Sequence, residues 1–64
     1  MSLYDYLASQ KVLSRHYPFY ALLMALIYQA DTPNSEKLRA AWPEVWDELQ
    51  ERHDAPDGRL EGEG

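Results

Sequence analysis

The sequence predicts an all-α fold: a small bundle of three main helices plus one short helix, ending in an acidic C-terminal tail. Three observations carry that reading. Apolar residues recur at the spacing of helix faces rather than in strand-like alternation. Pro18, Pro33 and Pro43 each stand where a helix can open, since the first turn does not use the N–H that proline lacks. And 64 residues without a cysteine leave room for one small soluble domain and no disulfide or thiolate-zinc staple.

The first helix is expected near 2–15. Ser2-Leu3-Tyr4-Asp5 has the capping-box pattern with Asp in place of Glu, so a hydroxyl satisfies a free N–H and a carboxylate meets the positive helix end. Leu3, Tyr6, Leu7 and Leu13 fall on one side, with Gln10 and Ser14 inside the stripe. The residue before Pro18 disfavours helical geometry, which stops the helix near Ser14–His16.

The second helix, near 18–30, follows from twelve residues, Tyr17 to Tyr28, without a charge or a strongly polar side chain. Phe19, Leu22, Leu23, Leu26, Ile27 and Ala30 make one broad face. Tyr20, Met24 and Tyr28 make a second stripe, flanked by Ala21 and Ala25. A helix apolar nearly all round is buried nearly all round, so this is the expected central helix. The run rises only about 20 Å, short of a 30 Å hydrocarbon core, and Asp5 with Tyr28 does not suit a signal peptide. A membrane span is therefore not expected, and a cytoplasmic setting is.

Asp31-Thr32-Pro33-Asn34-Ser35-Glu36 is turn and cap chemistry. Thr32 as N-cap with Pro33 first is the expected register, and Asn34 capping with Ser35 first is its rival. A short helix, 33–41, then runs through Leu38 until Pro43 ends it and starts the last, 43–53. That helix is two-faced: Trp42, Val45, Trp46, Leu49 and His53 against Glu44, Asp47, Glu48 and Glu51. The two tryptophans are expected to anchor it. Helices two and four should make most of the core, from Phe19, Leu22, Leu23, Leu26, Ile27, Leu38, Trp42, Val45, Trp46 and Leu49. The helical domain is thus expected over 1–53 and the acidic tail over 54–64. The tail has Leu60 as its one large apolar side chain and predicts no stable fold of its own.

Charge bounds the function. Eleven acids against six bases give −5, and the tail's four acids against Arg59 supply three of those charges. The nearly balanced body has no basic patch to neutralise phosphates, so nucleic-acid binding is not expected. His16 and His53 lack the spacing of a metal pair, the serines lack a nucleophile elbow, and the glycines all lie in the tail, away from any phosphate loop. No enzyme activity, metal or cofactor is expected.

Aromatic residues are the informative class: five Tyr, two Trp and one Phe exceed what so small a core can hide. The surplus belongs at an interface, where Tyr and Trp bury area while keeping a polar edge satisfied. The candidate partner-binding residues are Tyr20, Met24 and Tyr28, with Ala21 and Ala25 beside them allowing a second helix to approach closely. A chain this short buries only about 60% of its unfolded surface, and self-association is a usual remedy. A homo-oligomer is therefore expected.

The run Tyr17-Pro18-Phe19-Tyr20-Ala21-Leu22, the segment Ala30-Asp31-Thr32 with Leu38-Arg39-Ala40-Ala41-Trp42-Pro43-Glu44-Val45-Trp46, and Ala55-Pro56-Asp57-Gly58 resemble small acidic helical proteins encoded by actinobacterial phages. The likeness covers roughly residues 17–60 and carries no chemistry, because that group is mostly without assigned function. It implies a phage origin and a host-cytoplasm setting. The expected function is then a non-enzymatic protein-interaction module, a phage accessory protein acting on a host or phage protein. The alternatives are a structural or assembly component of a virion and a DNA-associated, helix-turn-helix-like regulator around Asp31–Asn34, for which Lys37 and Arg39 are the only bases on the reading helix.

Overall fold

The computed structural model describes residues 2–63. The chain forms α1 (Leu3–Leu13), α2 (Phe19–Gln29), α3 (Thr32–Ala41) and α4 (Pro43–Asp54), then a single 3₁₀ turn at Pro56–Gly58, and no strand occurs among the described residues. The all-α class is as expected. The lengths, 11, 11, 10 and 12 residues, do not divide into three main helices and one short one.

Local chemistry explains each end. The Ser2 hydroxyl accepts from the Asp5 N–H at 3.1 Å and donates to the Asp5 carboxylate at 3.0 Å, which is the expected cap. α1 closes by tightening, with the Arg15 N–H donating to Val12 and the His16 N–H to Leu13. His16 then takes φ 56°, a left-handed conformation uncommon outside glycine, in the turn before Pro18. The cap of α3 differs from both expected registers. Asp31, not Thr32 or Asn34, is the N-cap, and its carboxylate accepts from the Asn34 N–H at 3.1 Å. Pro33 tolerates this one-residue shift because the N–H of the second helical position is also unused by the helix. Trp42 joins α3 to α4 in one residue: its N–H donates to Leu38 at 2.8 Å and its carbonyl accepts from Trp46 at 3.0 Å.

The core is a four-residue cluster, Leu23 and Ile27 of α2 against Val45 and Leu49 of α4, each pair one turn apart on its helix. Met24, Leu38, Trp42 and Trp46 are half-buried around it, and the Arg39 guanidinium lies 5.8 Å over the Trp46 ring. Helices two and four therefore do make the core. The hub is nevertheless α4, which packs on α2, α3 and the 3₁₀ turn, whereas α1 is packed on none of them along its length. Two expected core residues are corrected: Phe19 is 61% exposed and Leu26 53%. A helix apolar all round needs cover on every side, and α4 with α3 covers only one side of α2.

The tail is held against α4. Arg52 donates to both carboxylate oxygens of Glu63, at 2.8 and 2.7 Å, to the Gly58 carbonyl at 2.9 Å and to Glu48 at 3.2 Å. One planar guanidinium thus folds residues 55–63 back on α4. Asp57 and Gly58 both take positive φ, 56° and 69°, to make the turn.

Candidate functional site

The candidate residues lie on α2, and four of the five line two grooves. Tyr20 and Met24, one turn apart, line an open groove of about 360 Å³ with Val45, Glu44 and Glu48 of α4. Tyr20 is exposed and meets Phe19 edge-to-face at 5.2 Å, while Met24 is half-buried against the core. Tyr28 is exposed at the far end of the helix, its ring 6.4 Å from that of His53. Ala21 and Ala25 lie on the side toward α1, where with Leu22, Val12 and Tyr17 they line a groove of about 310 Å³ that is almost entirely apolar. The five residues therefore occupy one continuous helix surface but do not converge on one point.

The apolar surface extends well beyond them. Eleven large hydrophobic side chains are exposed among the described residues, and all eleven fall between Leu3 and Tyr28. α1 contributes Leu3, Tyr4, Tyr6, Leu7, Val12 and Leu13, the linking turn Tyr17, and α2 Phe19, Tyr20, Leu26 and Tyr28. Sequence reasoning placed the surplus on α2 and missed α1. The available signal was that Val12 lies opposite the Leu3–Leu7 stripe and Tyr4 flanks it, so the apolar residues of α1 are not confined to one side. Scattered apolar residues are normal on a surface; here all eleven are concentrated in one stretch of the chain.

A third groove, of about 240 Å³, runs between α2 and the α3–α4 junction and is lined by Phe19, Leu22, Leu23, Leu26, Leu38 and Trp42. The Phe19 and Trp42 rings stand 6.3 Å apart across it. A fourth, of about 540 Å³, lies beside it and is more polar, with Asp31, Asn34 and Lys37 joining Leu26 and Leu38. Charges are few on the apolar side: Asp5, Lys11 and Arg15 before the turn, then none until Asp31. The acids collect on α4.

The tail clamp is a charge cluster held at short distances. Glu63 is lowered to about 2 by the hydrogen bonds from Arg52, helped by the Leu60 N–H, and Arg52 is raised well above its ordinary range by Glu63 and Glu48. His53 stands beside Asp54 with Nδ1 3.5 Å from a carboxylate oxygen. Among the described residues no three His, Asp or Glu side chains gather as a metal site. No helix of the described residues is long and apolar enough to cross a membrane. What this arrangement offers is apolar area with tyrosine edges: it can bury surface against a partner and satisfy a few directed hydrogen bonds.

No protein-family model, no curated protein and no solved structure matches this chain.

Proposed function

We propose that the chain is a non-enzymatic protein-interaction module, a phage accessory protein of the host cytoplasm that binds itself and a host or phage protein through the aromatic surface of α2. The observation that carries this reading is the confinement of every exposed large hydrophobic side chain among the described residues to 3–28. Tyr20, Met24 and Tyr28 are the anchors, and Ala21 and Ala25 admit a close-packed helix beside them. Such a surface suits protein contact, in which buried aromatic anchors dominate the binding energy. Nucleic acid is a poor fit, since Arg39 on the would-be reading helix is engaged with Trp46.

The test is affinity capture from an actinobacterial host lysate with the tagged full chain, run beside a Tyr20→Glu, Tyr28→Glu variant. One protein retained by the natural chain and lost with the variant supports the reading. Ordered high-copy assembly of the purified chain points instead to a virion component. Salt-sensitive retention on DNA points to a regulator.

A further inference from the structure

We infer that α1 is a dimerisation arm, seated in the assembled protein against α1 and α2 of a second copy of this chain. The inference rests on the self-association half of the proposed function and assigns it a different element. Three observations carry it.

The first is area. A compact folded protein of 7.5 kDa exposes about 4,200 Å². This chain exposes 5613 Å², an excess of about 1,400 Å² per copy. Two copies covering that excess bury about 2,800 Å² together, within the range of permanent homodimers. The radius of gyration agrees: 13.8 Å, against about 10.7 Å for a compact chain of this length.

The second is position. Eleven large apolar side chains are exposed along α1, the turn and α2, and the groove of Val12, Tyr17, Ala21, Leu22 and Ala25 lies between the two helices. α1 is not packed along its length on the rest of its own chain, and this groove is open to a second molecule. The third is the helix itself. Every α1 residue is exposed except Ala8, which is half-buried, and eleven residues are too few for a stable isolated helix in water. α1 needs packing that its own chain does not supply. A second copy brings an identical apolar face, and a two-fold contact covers both faces at once.

The experiment is sedimentation equilibrium of the full chain from low to several hundred micromolar, with backbone amide exchange on the same samples. The natural chain is expected at twice 7.5 kDa with α1 amides protected. Leu7→Glu alters a side chain that is exposed in the single copy, and it should weaken the dimer by about a hundredfold or more by burying a charge. Leu7→Ala should weaken it less, by about tenfold, while α2–α4 amides stay protected in both variants. A monomeric natural chain over the whole range overturns the inference together with self-association through α2, and leaves the foreign-target reading to the capture experiment. A dimer indifferent to Leu7→Glu but broken by Tyr28→Glu overturns the arm alone.

Discussion

Leu49→Ala is the sharpest test of the packing. Leu49 is 6% exposed and closes a cluster whose other buried members among the described residues are Leu23, Ile27 and Val45. Removing three carbons from such a site typically costs about 2–5 kcal/mol, the spread reflecting how far the surroundings relax. Here the rim is Met24, Leu38, Trp42 and Trp46, all half-buried and able to settle inward, which places the cost near the lower end, about 2–3 kcal/mol. A chain of this length has a total stability of about 3–10 kcal/mol. The variant should therefore melt about 10–20 °C below the natural chain. The assay is thermal and urea unfolding followed by helical circular dichroism, at one fixed protein concentration so that association contributes equally. Glu51→Ala, on the exposed side of the same helix, should stay within about 0.5 kcal/mol. A Leu49→Ala loss below about 1 kcal/mol would refute the assignment of the core to the α2–α4 contact.

Three further outcomes follow from the caps, the tail and the tryptophans. Asp31→Ala should cost about 1 kcal/mol in urea unfolding, because it orphans the Asn34 N–H, whereas Thr32→Ala should cost little; the reverse order would restore Thr32 as the cap. Glu63 titrates lower in the folded chain than in the unfolded one, so the tail clamp stabilises above the ordinary carboxylate value of about 4.3 and is lost as pH falls toward about 2. Glu63→Gln should lack that part of the acid transition, and identical acid melts for the two chains would deny the clamp any part in folding. Trp42 and Trp46 are half-buried, so acrylamide should quench native fluorescence only partly, and access equal to free indole at both rings would place them on the open surface.

Helix positions were legible because the signals are local. Ser2 with Asp5, and Pro43 after Trp42, act within one turn, and neither needs a distant partner to have its effect. The α4 face was legible for the same reason, since its acids leave one side for Val45 and Leu49. Asp31 was missed because proline is acceptable at the first or second helical position, so Pro33 does not distinguish a cap at Thr32 from one at Asp31. The tail was missed because its clamp joins Arg52 to Glu63 across eleven residues, and no local pattern encodes that pairing.

The exposed apolar surface was only half legible, and the reason is one of cover rather than pattern. Periodicity says which side of a helix is apolar, but it does not count the elements available to bury it. α3 and α4 each present one apolar side, and both are used up on each other and on Leu23 and Ile27. The apolar sides of α1 and the remaining side of α2 are then left largely uncovered among the described residues. Phe19 and Leu26 look like core residues by composition and stand at the surface because that supply is exhausted. On this argument their exposure is a property of the single copy: the same residues, with Leu3 and Leu7, become core as soon as a second apolar face of matching extent is supplied. The small core and the large exposed surface are thus two consequences of one shortage, and a partner of the proposed kind would need apolar area before any particular charge.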